Sequence, residues 1–224
     1  MIAGVDGYRD KWIVVVALQA GGTEVRGPMS FPDLYRDPNL DLIVIDIPIG
    51  LAEKGTRKAD AEARGFLGKR ACCVFTAPIR QILHCDWREA CAKRFALEKK
   101  KCSKQQVAIF PKVAEVDHLL RSDHLALARV REGHPEVSFA LMNGGVPLES
   151  KHNTQGNKKR LALVQEHFPD FNKNWEKSAI GIRKDILDAY ALLWTAQRIS
   201  SARERRFPET SERDRFGLSM QIVA

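Results

Sequence analysis

Two aspartates at the ends of apolar segments have the chemistry to hold a divalent cation. Asp6 ends the first apolar segment, in "AGVDG", and Asp46 follows four consecutive aliphatic residues in "LIVIDIP". If the two segments are parallel neighbouring strands, both carboxylates emerge at the same end of a sheet, where α/β proteins commonly place their sites. Such carboxylates repel each other and have raised pKa values unless a positive charge lies between them. Mg²⁺ or Mn²⁺ meets this need, because magnesium takes one or two carboxylates and keeps positions for waters and phosphate oxygens.

A second acidic pair lies in the helix-type segment "RKDILDAYALLWTA". Asp185 and Asp188 are three residues apart and share one face of a helix. That face continues with apolar residues, so Asp188 is predicted to point inward and Asp185 to flank it. The small side chains of Ala189 and Ala191 would let this helix come close to a sheet.

Glu136 is a further acidic candidate, in "GHPEVSF". Pro135 and Glu136 together form a favourable helix start, so Glu136 also has a purely structural interpretation. His134 has no histidine partner at H-x-x-x-H spacing and the five cysteines lack ligand spacing, so no zinc site is predicted.

Structural interpretations exist for the other acidic residues as well. Asp6 could accept hydrogen bonds in an Asp-Gly turn, and Asp46 could cap the backbone around Pro48. Asp185 could interact with the dipole of its helix. The joint occurrence of Asp6 and Asp46 at two strand ends favours a site, whereas Walker, dinucleotide-binding and serine-hydrolase motifs are absent from the sequence.

The order of the predicted strands and helices that must position these residues indicates an α/β protein with helices on both faces of a mixed sheet. The first 18 residues predict a β-hairpin, and "TEVRG" predicts a third strand. The aliphatic run before Asp46 predicts a central buried strand, and "LALARVREG" predicts another strand. The tail "RERRFPETSERDRFG" is predicted to be a loop. Helices are predicted at 57–68, 158–168 and 184–199, and a further one starts at Pro135. Between them, one helix is predicted from Asp86 to about residue 101, and a second one, kinked at Pro111, continues to about residue 121.

Length and composition predict one domain, residues 1–224, with a helical insertion at about 80–123. No signal peptide or membrane span is evident, and the unpaired cysteines suit reduced thiols, so a cytoplasmic protein without membrane contact is expected. The net charge of +8 points to anionic partners. Basic clusters at 93–104, 157–160 and 203–206 are either a phosphate-binding surface or solvated faces.

Eight sequence blocks, in order along the chain, resemble one known family: "GVDGYRDKW" (4–12), "DIPIGL" (46–51), "RKADAEARGFLGKR" (57–70), "VFTAP" (74–78), "KVAEVD" (112–117), "HPEVSF" (134–139), "SKHNTQG" (150–156) and "DILDAYALLWTA" (185–196). The family is that of the predicted RNase H-like nucleases, catalogued as domain of unknown function 429. The blocks cover nearly the whole chain, and together they are specific.

The resemblance implies an RNase H-like fold with a five-stranded mixed sheet flanked by helices. In that superfamily, acidic residues on the first strand, the central fourth strand and a late helix bind two divalent ions. By motif these are Asp6, Asp46 and Asp188, with Glu136 and Asp185 as further candidates. This chain departs from the family pattern at Asp10, which adds a carboxylate near the site.

The expected function is therefore that of a metal-dependent nuclease or related phosphodiester hydrolase, with Mg²⁺ or Mn²⁺ as cofactor and nucleic acid as partner. Four basic residues in or next to the motif blocks would hold phosphates, although surface ion pairs are the alternative for each: Arg57, Arg70, Arg80 and Lys151.

A non-catalytic nucleic-acid-binding or assembly module on the same fold is the competing hypothesis. Sugar kinases also place a strand-end aspartate near phosphates, but they need two such domains. Apolar surface residues would allow a homodimer.

Overall fold

The computed structural model describes every residue from Met1 to Ala224 and contains a single mixed sheet. Its seven strands are β1 (Ile2–Tyr8), β2 (Lys11–Ala17), β3 (Thr23–Met29), β4 (Leu42–Ile45), β5 (Val130–Gly133), β6 (Arg206–Arg213) and β7 (Ser219–Val223). Their order across the sheet is β3-β2-β1-β4-β5-β7-β6. The central strands β1, β4, β5 and β7 run parallel, whereas β2, β3 and β6 pair antiparallel with a neighbour.

Ten α-helices accompany the sheet, so the predicted α/β class is confirmed. They are α1 (Phe31–Tyr35), α2 (Lys58–Leu67), α3 (Trp87–Glu98), α4 (Lys104–Ala108), α5 (Phe110–Ser122), α6 (His124–Arg129), α7 (Pro135–Met142), α8 (Thr154–His167), α9 (Phe171–Lys177) and α10 (Arg183–Ser200). None of these helices combines the length and the apolar composition that crossing a bilayer requires.

Alternation along the strands divides the core between the two faces of the sheet. Ala3 and Val5 of β1 pack on one face with buried residues of α1, α3, α5 and α6. Val44 of β4 packs on the other face with α7, α8, α9 and α10. The four aliphatic residues before Asp46 therefore serve both faces, as expected for a central parallel strand.

Helix α10 lies directly on β1, and Gly4 makes this close approach possible. A Cβ atom at Gly4 would lie 2.1 Å from the carbonyl oxygen of Ala189 and 2.1 Å from the amide nitrogen of Leu193. Real Cβ atoms essentially never come this close to another heavy atom, so every other residue would displace the helix. The predicted proximity of this helix to a sheet is confirmed, and the small residue Ala189 lies at the contact.

The prediction of five strands is wrong, because two further strands join the sheet: β6, in the tail predicted as a loop, and β7, which follows it. Arg206–Arg213 forms β6, which pairs with β7 and extends the sheet beyond β5. Only Phe207 and Pro208 of β6 are buried, and the remaining residues are mostly exposed. An edge strand of this kind carries charged residues that discourage pairing with another chain, so its sequence resembles a loop.

The segment "LALARVREG" is only in part a strand. Its first half belongs to α6, whose N-terminus is capped because the Asp123 carboxylate accepts from the amides of Leu125 and Ala126. Val130–Gly133 then forms β5, which pairs with both β4 and β7. The cap residue lies just before the segment and decides the helical start.

The block 80–123 is helical between the strands β4 and β5, with α3, α4 and α5 as its main elements. Helix α3 begins as predicted, since the Asp86 carboxylate accepts from the Glu89 amide at 2.8 Å. It ends at Glu98, earlier than predicted, because Lys99 has a left-handed backbone (φ 57°). The predicted kink is a break between α4 and α5, with Pro111 in the first turn of α5. That this block is an insertion stays a prediction.

Candidate functional site

Asp6 and Asp46 lie side by side at one edge of the sheet. Val5 and Ile45 are partners in the parallel pairing of β1 and β4, and the Asp46 amide donates to the Val5 carbonyl at 3.0 Å. The residue after each partner is an aspartate. Asp46 directly follows β4 as predicted, whereas Asp6 does not end β1, which continues to Tyr8 in its pairing with β2; Asp6 lies where the parallel pairing with β4 stops. The two aspartates are therefore neighbours at the same end of this pairing, as the sequence predicted.

Asp188 joins them from helix α10. Its carboxylate is buried, and it accepts a hydrogen bond from Nζ of Lys151 at 2.7 Å. The contact of α10 with Gly4 begins at Ala189, the next residue, and brings this part of the helix next to β1. Asp188 therefore points inward as predicted. Asp185 lies one turn earlier and is close enough for its charge to act on Asp6.

The carboxylates repel one another strongly. Burial, followed by the charges of Asp188, Asp46 and Asp185, raises the pKa of Asp6 well above its ordinary 3.8. Burial and the Asp188 charge raise the pKa of Asp46, although His134 and Lys151 act in the opposite direction. Burial and Asp188 likewise raise the pKa of Asp185. The edge of the sheet therefore carries more negative charge than the protein itself compensates.

Two lysines supply part of the missing positive charge. Burial opposes the charged form of Lys151, but the charge of Asp188 and their hydrogen bond outweigh it and raise the lysine pKa. Lys112 of α5 lies with Nζ 4.1 Å from the ring centroid of Trp12, and burial lowers its pKa despite the attraction of Asp6. Both ammonium groups are thus held beside the carboxylates.

Glu136 is fixed at the start of α7, where Pro135 occupies the first turn as predicted. Its Oε2 accepts from Nη2 of Arg160 at 2.6 Å, and both side chains are buried. Its Oε1 is also buried but has no hydrogen-bond partner. One oxygen of Glu136 is therefore held rigidly, while the other is available to accept a hydrogen bond.

These groups line one cavity of about 610 Å³, which we call the acidic cavity. Most of the residues predicted from the sequence meet there: Asp6, Asp46, Arg57, Arg70, Glu136, Lys151 and Asp188. Asp185 and Arg80 do not line it. Asp10, the departure from the family pattern, is exposed and lies outside the lining as well.

Arg57 lines the cavity, but its guanidinium is occupied by acceptors of the protein. It donates to both oxygens of Glu132, at 2.7 and 2.6 Å, and to the Asp60 carboxylate and the Ile49 carbonyl. The side chain is only 2% exposed. These bonds tie α2 to β5, so a structural role explains Arg57 without a phosphate ligand.

Arg80 is placed away from the acidic cavity in another buried ion cluster. Its guanidinium bonds Asp117 of α5 and Asp214, the residue after β6. Asp214 in turn accepts from the amides of Leu51 and Leu218. Arg80 therefore joins the helical block to the C-terminal hairpin.

The Arg80→Leu variant is expected to unfold at a free energy about 2 kcal/mol below that of the wild type. Removing one member of a buried ion pair leaves a charge without a partner, and Asp117 keeps Arg121 as a second partner, which moderates the loss. Urea unfolding followed by circular dichroism measures the difference. Wild-type stability in the variant would contradict this structural role.

Several cavity residues were missed by the sequence reasoning. Lys112, Arg9, His152 and the exposed Phe75 all line the acidic cavity, and Cys72 lies among them. Lys112 opens the block "KVAEVD", but only the packing of α5 over the first hairpin brings its side chain to Asp6. Arg9 has a left-handed backbone (φ 51°) in the β1–β2 turn, which no local motif predicted.

The donor set suits a hard divalent cation. No group of three or more histidine, cysteine, aspartate or glutamate side chains is arranged to hold a metal ion, and the Asp188 carboxylate is bonded to Lys151. Magnesium, however, needs only one or two carboxylates, with waters in the remaining positions. Asp6 and Asp46, whose charges repel each other, are the two carboxylates that could supply such a site.

The Lys151→Met variant is expected to bind Mn²⁺ about fivefold more tightly than the wild type. The ammonium group of Lys151 partly neutralises Asp188. Removing this positive charge from beside the site lowers the energy of a bound cation by about 1 kcal/mol when the site is solvated. Calorimetric titration measures the affinity. Unchanged or weaker Mn²⁺ binding would show that Lys151 does not compete with a cation for these carboxylates.

Comparison with known proteins gives one match. The model of a family described as "Protein of unknown function (DUF429)" matches residues 4–213. No curated protein and no solved structure matches the chain significantly.

Proposed function

The chain belongs to the DUF429 family, a family of unknown function, and we propose that it is a divalent-metal-dependent nuclease or a related phosphodiester hydrolase. The observation that carries the proposal is the convergence of Asp6, Asp46 and Asp188 on one cavity, in which burial and the neighbouring carboxylates raise the pKa values of Asp6 and Asp46. Perturbed carboxylates in a cleft are typical of functional sites.

The positions of the acidic residues also support an RNase H-like core. The proposed superfamily carries its acids on the first strand, the fourth strand and a late helix. Here β1 and β4 are neighbours, Asp6 and Asp46 lie side by side where their parallel pairing stops, and the late helix α10 brings Asp188 to them. The strands β6 and β7 extend this arrangement beyond five strands.

Asp6 and Asp46 would hold the cation, with Mg²⁺ or Mn²⁺ as the candidates, and Asp188 lies beside them in its ion pair with Lys151. The chemistry that such an ion supplies when bound is charge stabilisation at a phosphoryl oxygen and a lower pKa for a bound water. Hard oxygen donors favour these ions over the softer transition metals.

The protein's own residues then bind and orient the substrate. Lys151 and Lys112 place positive charge beside the carboxylates, where a phosphodiester would otherwise be repelled. Arg70 is half-buried at the cavity, and its only hydrogen bond is to the Cys73 sulfur at 3.1 Å, so it can also donate to a phosphate. Glu136 offers its unpartnered Oε1 to a water or a substrate hydroxyl.

Nucleic acid is the proposed substrate and partner, because the chain has a net charge of +8 and its lysines and arginines are clustered. Binding through phosphates predicts an affinity that falls steeply with salt.

Cleavage assays test the proposal directly. Labelled single-stranded and duplex DNA and RNA are incubated with the protein in Mg²⁺, in Mn²⁺ and in EDTA. We expect cleavage of at least one substrate with metal and none with EDTA. Intact substrates under all conditions would reject the hydrolase.

A non-catalytic nucleic-acid-binding module is the second candidate. The ion pair of Lys151 with Asp188 favours it, because it partly neutralises the acids without a cation. This alternative predicts polyanion binding that is the same in Asp46→Asn and in the wild type, together with no cleavage.

A further inference from the structure

A second cavity of about 490 Å³ adjoins the acidic cavity. Val74 and Phe75 line both of them, so the two cavities meet at this short segment after α2. We call the second one the basic cavity, because four of its nine lining residues are basic and none is acidic: Arg64, Arg94, Lys100 and Lys101.

Three of the four charges in the basic cavity are available to an anion. Arg94 is paired with Glu98 at 3.2 Å, and both are buried. Arg64 donates only to neutral acceptors, the Val74 carbonyl and the Thr76 hydroxyl, so its charge is not compensated. Lys100 and Lys101 are exposed.

Phe75 lies between the two cavities and is 54% exposed. The residues on either side of it are fixed, since the Val74 carbonyl accepts from Arg64 and the Thr76 carbonyl accepts from Gln106 at 2.7 Å. Phe75 therefore presents an exposed phenyl group from a backbone that is hydrogen-bonded on both sides. Phe75 thus offers an apolar surface beside the cations of the basic cavity that are not paired with a carboxylate.

We propose that the basic cavity and Phe75 bind single-stranded nucleic acid and direct it into the acidic cavity. The cations would contact the phosphates, and Phe75 would stack on a base. Such stacking needs an unpaired base, because the base faces of a duplex are covered by their neighbours, whereas aromatic platforms with basic grooves are typical of single-strand binding. The inference rests on the proposed function and names its substrate class.

Fluorescence anisotropy in EDTA measures binding without cleavage, using labelled single-stranded DNA, single-stranded RNA and duplex DNA. The Phe75→Ala variant is expected to bind single strands about tenfold more weakly, and Phe75→Trp to restore the affinity. Duplex affinity should not change. Phe95→Ala is the matched control, because this ring is 49% exposed but lines neither cavity.

The lysines are tested through the salt dependence of the same binding. The double variant Lys100→Ala/Lys101→Ala should reduce the slope of log affinity against log salt by about 1.4, since each lost single-strand phosphate contact accounts for about 0.7. Lys173→Ala/Lys177→Ala removes equal charge from exposed positions on α9, outside both cavities, and should leave the slope unchanged.

Wild-type single-strand affinity in Phe75→Ala, or equal losses in the α9 control, would overturn the inference. Its failure is distinguishable from that of the hydrolase. Metal-dependent cleavage with Phe75-independent binding would reject the single-strand surface alone. Phe75-dependent binding without any cleavage would support the surface and reject the enzyme.

Discussion

Replacing Asp46 with asparagine is expected to reduce metal-dependent cleavage about a thousandfold while the protein stays folded. A bound divalent cation contributes several kcal/mol to the stabilisation of a phosphoryl-transfer transition state, and each 1.4 kcal/mol is about tenfold in rate. Asparagine keeps the shape of the side chain but removes the charge that would hold the cation. Initial rates on the preferred substrate measure the loss.

The same substitution should stabilise the metal-free protein at neutral pH. An aspartate whose pKa is raised by folding binds its proton more tightly in the folded state, so its ionisation weakens the fold. For Asp46 this destabilisation is absent below the ordinary pKa of 3.8, grows as the pH rises, and is complete above the raised pKa. The free energy of unfolding of Asp46→Asn should therefore exceed that of the wild type at neutral pH but not in acid.

Asp10→Asn is the matched control, because Asp10 is exposed and lies outside the acidic cavity. It should cleave at the wild-type rate. Retained cleavage by a folded Asp46→Asn variant, or an equal loss in Asp10→Asn, would contradict the assignment of the site.

Replacing Gly4 with alanine should lower the free energy of unfolding by at least about 3 kcal/mol. Overpacked core positions typically cost 1–3 kcal/mol, and here the added Cβ meets backbone atoms of Ala189 and Leu193 that cannot rotate away. Helix α10 would have to move from β1 and would carry Asp188 with it. Chemical denaturation measures the stability, and cleavage by the folded fraction should fall as well.

Gly65→Ala provides the control on the same type of substitution. Gly65 is exposed in the interior of α2, and a Cβ there would meet nothing within 4 Å. Alanine is the better helix former, so this variant should gain about 0.5–1 kcal/mol. A Gly4→Ala protein of wild-type stability would show that the contact of α10 with β1 is not close-packed.

The central part of the fold could be predicted from the sequence because its signals are local. Alternating and continuous apolar runs predicted β1, β2 and β4, and the positions of Asp6 and Asp46 in the runs of β1 and β4 marked one edge of the sheet. The spacing of Asp185 and Asp188 gave the inward face of α10. Each of these inferences needs only periodicity within one segment and the rule that parallel strands end at one edge.

The remaining features depend on tertiary contacts that local patterns do not encode. Strand β6 has the composition of a loop because it lies at the edge of the sheet. Arg80 looked like a phosphate ligand, but its partners Asp117 and Asp214 are distant in sequence. Lys112 and Phe75 reach the acidic cavity only through the packing of separate segments.

Calorimetric titration of Mn²⁺ into the wild type and into Asp46→Asn tests the central claim most directly, because it asks whether these carboxylates hold a cation without assuming a substrate. We predict saturable binding to the wild type that is lost in Asp46→Asn and retained in Asp10→Asn. Absence of binding to the wild type, or equal binding to the wild type and Asp46→Asn, would contradict the account.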